Sequence, residues 1–205
     1  MKEKYKYRNL FDFIDNSRLN SIAIVDIETT ALKPDNGFII EIGIVELNLE
    51  TGAIKILFDS LIKEPNFDEE SRYSWIFSNS DLKFDDVLTA PNLIELKQDI
   101  QKILNEYHLT AYNKAFDFEF LTGKGFSIKK EVADIMETAK NACKIIKPNG
   151  ELKNPKFQEA WNYFFPNKIY IEKHRALDDA FHEALVLFEM YQRGHFIIKF
   201  NKGKY

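Results

Sequence analysis

Three short stretches of this chain carry acidic and imidazole side chains at spacings that could do chemistry. In SIAIVDIETTAL, Asp26 and Glu28 stand two apart, so on a strand both side chains leave the same face. Two carboxylates aimed together with no Lys or Arg between them repel each other unless a cation joins them. If Glu28 has already left the strand, both groups are simply solvated. Asp117, in NKAFDFEFL, falls in the first turn of a helix, where the macrodipole and free amides favour a negative charge. That is a sufficient structural reason for an Asp there. His174, Asp178 and Asp179, in HRALDDA, stand at the entrance to the last helix. Were His174 helical, it would face Asp178, four residues on. Were it in the preceding loop, Asp179 would point into the site instead, and spacing leaves both arrangements open.

The elements that must position these groups follow from hydrophobic patterning. Ser21 to Ile27 is a β-branched apolar run that reads as a buried strand. Phe38 to Leu47 reads as a second strand, Glu50-Thr51-Gly52 as a hairpin turn, and Ala53 to Ile62 as a third strand. Residues 64–90 are polar and irregular. Pro91 then sits where a helix can begin, with Leu93, Leu96, Ile100, Ile103 and Tyr107 as its buried stripe. Leu109 to Tyr112 is a short strand, after which Asn113 can cap the helix carrying Phe116 to Leu121. Asp134 to Ile146 and Asn154 to Phe165 are helical patterns. The last helix, Ala176 to Tyr191, is expected to bury Leu177, Phe181, Ala184, Leu185 and Phe188. A three-stranded meander followed by alternating helix, strand and helices predicts an α/β layered fold with a mixed sheet.

At 205 residues the chain suits one domain able to bury a sizeable core. We place that domain at residues 20–193, between an N-terminal extension (1–19) and a C-terminal tail (194–205). A 45% hydrophobic, 14% aromatic composition excludes disorder as the main state. The single cysteine, Cys143, excludes an internal disulfide and any Cys-rich zinc module, and reads as a small core residue. No apolar run is long enough to span a bilayer, and Asp12 and Asp15 interrupt any signal-peptide core, so a cytoplasmic protein with no membrane partner is expected. Residues 1–120 hold 13 basic and 22 acidic residues, whereas residues 121–205 hold 15 and 10. The net charge of −4 argues against a strongly basic nucleic-acid binder. It is compatible with an acidic site that divalent cations neutralise.

Competing motifs fail. His182-Glu183-Ala184-Leu185-Val186 lacks the second His of a zinc-protease helix, and Gly123-Lys124-Gly125-Phe126-Ser127 reads as a helix-ending turn rather than a phosphate loop. The Phe and Tyr residues are mostly core, with a few near the site available to stack on bases.

Taken together and in order, VDIETTAL, YNKAFDFEFL and HRALDDA resemble the three exonuclease motifs of the DEDDh family, the DnaQ-like 3′–5′ exonucleases. The resemblance runs from about Ser21 to Arg193. It implies a ribonuclease H-like three-layer fold, with a central mixed β-sheet flanked by helices. It also implies four metal-binding acids at Asp26, Glu28, Asp117 and Asp179 and a general-base histidine at His174. The family's His-to-Asp spacing selects Asp179 over Asp178. Thr29 and Leu32 match positions that contact the terminal nucleotide, and Asn113 and Phe116 match the second motif. Ala31 stands where the family usually has Gly, and Tyr112 where His is common, which puts substrate fit rather than chemistry in question.

The implied activity is metal-dependent 3′–5′ hydrolysis of phosphodiester bonds, releasing nucleoside 5′-monophosphates. Two Mg²⁺ or Mn²⁺ ions suit an all-oxygen carboxylate set and stabilise charge on the attacking and leaving oxygens. A histidine of ordinary pKa can take a proton from water near neutral pH. Single-stranded or frayed 3′ ends are the expected partner, DNA favoured and RNA the alternative, because unpairing a terminal nucleotide costs energy. Two other readings share the fold: a catalytically silent nucleic-acid-binding or adaptor module, and the proofreading subunit of a DNA polymerase. The intact acid set argues against the first, and the 12 residues after Arg193 give little material for polymerase docking.

Overall fold

The computed structural model describes residues 19–198; the N-terminal extension up to Arg18, and the tail beyond Ile198, lie outside the described residues. Strand β1 (Ser21–Thr29) is the centre of the molecule. It pairs antiparallel with β2 (Ile39–Asn48), which pairs antiparallel with β3 (Ile54–Leu61). On its other side it runs parallel to the two-residue β4 (Leu109–Thr110), giving the order β3-β2-β1-β4. The expected Leu109 to Tyr112 strand is thus shorter. The carbonyls of Ala111 and Tyr112 instead accept the amides of Ile135 and Met136.

Both faces of β1 are covered, which is why its sequence is a continuous apolar run. Ala23, Val25 and Ile27 pack with Ile42 and Ile44 against α3 (Leu93–Glu106) and α4 (Lys114–Gly123). Ile22 and Ile24, with Val45 and Leu47, pack against α5 (Ile135–Cys143), α6 (Phe157–Phe164) and α7 (Ala176–Gln192). Three layers result, an α/β ribonuclease H-like arrangement. The stretch 64–90, irregular in the sequence reading, contains a 3-10 turn (Glu69–Tyr73) and the short helices α1 (Trp75–Asn79) and α2 (Phe84–Leu88). Ile76, Leu82, Phe84 and Val87 close a third, smaller cluster with Ile40 and Phe67.

Helix α7 lies closest to the sheet. A Cβ on Gly43 would come within 2.4 Å of the Ala176 carbonyl carbon and the Leu177 amide, so only glycine allows this approach. The residues α7 buries are accordingly small or acidic as well as apolar: Ala176, Asp179, Ala180, Glu183, Ala184, Val186, Leu187 and Met190. This corrects the expected stripe. Leu177, Leu185 and Phe188 are only partly buried, and Phe181 is exposed. The chain stays packed past Arg193, with Phe196 and Ile198 buried in the α7 cluster. Among the described residues no helix is long and apolar enough to cross a membrane.

Candidate active site

Asp26 and Glu28 both lie within β1, so the alternative in which Glu28 has left the strand is excluded. Even-numbered β1 residues face α7. In the register, Asp26 stands opposite Gly43 and Glu28 opposite Glu41. The close approach at Gly43 therefore brings the start of α7 down beside Asp26. A second device fixes the same helix end. Glu41 is buried and accepts Arg175 Nε and Nη2 at 3.1 and 2.7 Å, and also the Ala176 amide at 2.9 Å.

His174 is in the loop before α7, and its backbone is left-handed at φ 53°. A non-glycine residue held there costs about 1–2 kcal/mol, which the anchoring of Arg175 next to it sustains. Ligand atoms of Glu28, His174 and Asp179 all lie within 4.8 Å of one another. Asp179 accepts the Tyr170 hydroxyl at 2.5 Å and the Arg175 amide at 3.1 Å. Asp178 turns away from the cluster, bound to Lys173 Nζ at 2.8 Å and 3.3 Å from His182 Nδ1.

Asp117 is buried in the first turn of α4. Asn113 occupies the N-cap position without a side-chain cap bond; Asp134, itself the cap of α5, accepts the Lys114 amide at 2.8 Å instead. The expected capping role of Asn113 thus passes to Asp134, leaving the Asn113 side chain exposed. Thr29 donates its hydroxyl to the Ala31 carbonyl at 2.8 Å, shaping the turn that leaves Leu32 85% exposed. Phe116 is partly buried beside Phe120.

Electrostatics set this cluster apart. Burial holds Asp26 well above the usual carboxylate range, reinforced by Glu183, Asp117, Glu28 and Asp179. Burial raises Glu28 as well, helped by Asp179, Glu41 and Asp117. Asp117 is raised by burial against the opposing pull of the Asp117 and Ile27 amides. Asp179 is raised by burial against its bonds from Tyr170 and Arg175. Glu183, one turn along α7 from Asp179, was read in the sequence only as part of a failed zinc motif. It is buried, accepts the Tyr112 amide at 3.2 Å, and is raised by burial and by Asp117 and Asp179. Its place is legible only once Asp179 is known to face inward, because Glu183 then follows on the same helix face. Glu172 is a further half-buried acid, 4.0 Å from His174 Nδ1.

Among the described residues, no Lys or Arg forms an ion pair with Asp26, Glu28, Asp117, Asp179 or Glu183; the nearby Arg175 is bound to Glu41. Converging oxygen donors that repel one another in a desolvated pocket fit a hard divalent cation.

The fold and the chain match known proteins. A family model described as Exonuclease, RNase_T, matches residues 23–187. No curated protein matches at a significant level. Among solved structures, the nuclease domain of 3′hExo, a DEDDh family member bound to rAMP, superposes with a TM-score of 0.66 at 20% identity. That match covers 91% of this chain and 98% of the other. Cell-death related nuclease 4 gives a TM-score of 0.66 at 15% identity, covering 89% and 67%. E. coli Exonuclease I in complex with a dA16 oligonucleotide gives 0.60 at 10% identity, covering 84% and 41%. Against a full-length 3′-exonuclease, matched at 19% identity with a TM-score of 0.64, 89% of this chain is covered but only 63% of the other. With the family model matching most of the chain and containing all three motifs, the chain belongs to the DEDDh exonucleases.

Proposed function

We propose that this protein is a 3′–5′ exonuclease that uses two Mg²⁺ or Mn²⁺ ions to hydrolyse the terminal phosphodiester bond. Its substrate is a single-stranded or frayed 3′ end of DNA, with RNA the alternative, and nucleoside 5′-monophosphates are released. The observation that carries this reading is the convergence of Asp26, Glu28, Asp117 and Asp179 on one desolvated pocket beside His174. The 3′-exonuclease among the similar structures that recognises a histone mRNA stem-loop, and Exonuclease I bound to DNA, keep both nucleic acids in view.

When bound, the ions supply Lewis acidity to the phosphate and charge compensation to the four acids. The remaining roles belong to the chain. Asp26 and Glu28 supply oxygens from a rigid strand, and Asp117 and Asp179 from helix first turns, so the donor set is fixed before substrate arrives. His174, partly accessible at the mouth of the pocket, takes a proton from the attacking water. Thr29, Leu32, Asn113 and Phe116, matched to the family's motifs, are assigned to contact with the terminal nucleotide.

The test is digestion of matched DNA and RNA strands, labelled at either end, with Mg²⁺ or with chelator. Stepwise shortening from the 3′ end that stops in chelator is expected. Cleavage by fully metal-stripped protein, or shortening from the 5′ end, overturns the reading.

A further inference from the structure

The chain has two tryptophans with opposite environments. Trp161 is 4% exposed and donates its indole N–H to the Lys168 carbonyl at 3.0 Å. Trp75 is 60% exposed, yet it stands against His174, with ring centroids 5.0 Å apart and planes at 78°. Because His174 lies within 4.8 Å of Glu28 and Asp179, this exposed indole forms part of the rim of the acidic pocket. Tyr73, two residues earlier, is 86% exposed.

A solvated aromatic of this size would ordinarily be drawn into the core, and here its neighbour is. Ile76 is buried with Phe67, Leu82 and Phe84, and Phe77 packs edge-on against Phe84 at 5.6 Å. Asn79 Nδ2 donates to the Trp75 carbonyl at 2.8 Å. Asp81, just past α1, acts electrostatically on Lys173 and Arg175, which flank His174. The indole is therefore displayed from an anchored turn, at a fixed place over the loop that carries the histidine.

We infer that Trp75 is a stacking platform for a nucleobase of the bound strand, one flanking the phosphate held beside His174. An indole face accepts any base, purines with the larger overlap, and contributes affinity without reading sequence. The inference rests on the proposed exonuclease reading and deepens it, by adding a base contact on the α1 side of the site. It is a binding role: Trp75 sets how well a strand is held, not how fast the bond breaks.

The experiment uses the full chain. With only Trp75 accessible, intrinsic fluorescence reports it. Oligonucleotides ending in a 3′-terminal phosphorothioate are titrated in, alongside the same strands with abasic sugars at the last two positions. Quenching by base-bearing strands and little by abasic ones is expected. Trp75→Ala should raise KM on single strands roughly tenfold, with kcat within about twofold and the pH–rate profile unmoved. Trp75→Phe should recover part of the loss. Equal quenching by abasic strands, or a Trp75→Ala variant with an unchanged KM, overturns the inference. A lowered kcat with a shifted pH profile does so too, and makes the indole a support for His174. If the unmutated chain hydrolyses no strand with any metal, the exonuclease reading fails. Base-dependent quenching would then still stand or fall separately.

Discussion

Glu41 and Glu64 are as deeply buried as Asp117, Asp179 and Glu183, but they live in a different electrostatic setting. Glu41 receives a forked Arg175 and the Ala176 amide, and Glu64 receives Lys124 Nζ at 2.9 Å and the Ile39 amide at 2.6 Å. Each buried charge in this first group has a cation and a backbone donor. In the second group the acids mainly meet one another: Glu183 and Asp117 raise Asp26, and Asp179 raises both Glu28 and Glu183. The first group staples loops and a helix end to the sheet. The second leaves the folded chain with repulsion it does not relieve itself, as an ion-binding site requires. The two meet at the start of α7, where Glu41 holds Arg175 while Asp179 accepts the amide of the same residue.

The largest effect should come from discharging the second group or removing its base. Asp179→Asn keeps one oxygen for the Arg175 amide, turns its NH2 toward Tyr170 and removes a charged ligand, and His174→Ala removes the proton acceptor. Each should lower the hydrolysis rate by roughly 10²–10⁴-fold. They should separate in calorimetric Mn²⁺ titration: Asp179→Asn binds weakly, while His174→Ala binds nearly as the unmutated chain does. Metal affinity lost in both variants would make His174 a ligand instead of a base.

Breaking the first group should damage the fold. Glu41→Ala leaves the buried Ala176 amide unsatisfied and frees a half-exposed Arg175 that water can solvate, a loss of about 1–3 kcal/mol. For a chain of this size that lowers the melting temperature by roughly 5 °C. Activity should fall as well, since the variant frees the helix end that aims Asp179. A Glu41→Ala chain that melts normally but is inactive would move Glu41 into the catalytic group.

How much of this arrangement the sequence disclosed depended on which force governed each place. Strand β1 was legible because a strand covered on both faces is apolar throughout, whereas the edge strand β3, which buries no residue fully, followed from the Glu50-Thr51-Gly52 turn, marked by a glycine at φ 76°. Type and spacing alone left Asp26 and Glu28 open to plain solvation, Asp117 explained by its helix turn, and Asp178 and Asp179 undecided. The set Asp26, Glu28, Asp117, His174 and Asp179 stands out only through the resemblance of the three motifs, and the structure puts His174 in the loop before α7. The buried face of α7 departs from the expected stripe because large apolar residues do not mark it. Tight contact at Gly43 admits alanines there instead, and puts Glu183 on the inner face with them. Residues 64–90 were opaque because α1 and α2 are held by a few aromatic contacts with the sheet rather than by a repeating stripe.

Glu183 sharpens the comparison at a smaller scale. Glu183→Gln retains an acceptor for the Tyr112 amide and removes only the charge, so Mn²⁺ affinity should weaken about tenfold while the metal-free melting temperature rises by a few degrees. The pH dependence follows with its sign. Raised carboxyl groups stabilise the fold fully below the unfolded carboxylate range near 4, and that contribution is lost as pH climbs through the raised values. The metal-free protein should therefore lose stability as pH rises above about 4, more steeply than Glu183→Gln does, and Mg²⁺ should add most at the upper end of that rise. Parallel melting curves for the two chains across that interval would mean that Glu183 serves only as an acceptor.

The smallest effect is expected one residue from the largest. Asp178 adjoins Asp179 in sequence, but its carboxylate belongs with the paired acids, bound to Lys173 and facing His182 one turn on. The Lys173 side chain is 57% exposed, so water screens that ion pair and it adds little to stability. Asp178→Ala should keep hydrolysis within about twofold and Mn²⁺ affinity unchanged, with a melting temperature lower by no more than a few degrees. The same substitution at Asp179 should abolish both activity and metal binding. Neighbouring aspartates in one helix turn thus provide an internal control, alike in chemistry and backbone but unlike in burial and in whether a cation already faces them. An inactive Asp178→Ala beside a normal Asp179→Ala would show that the third motif is read out of register, and that the ligand on α7 is Asp178.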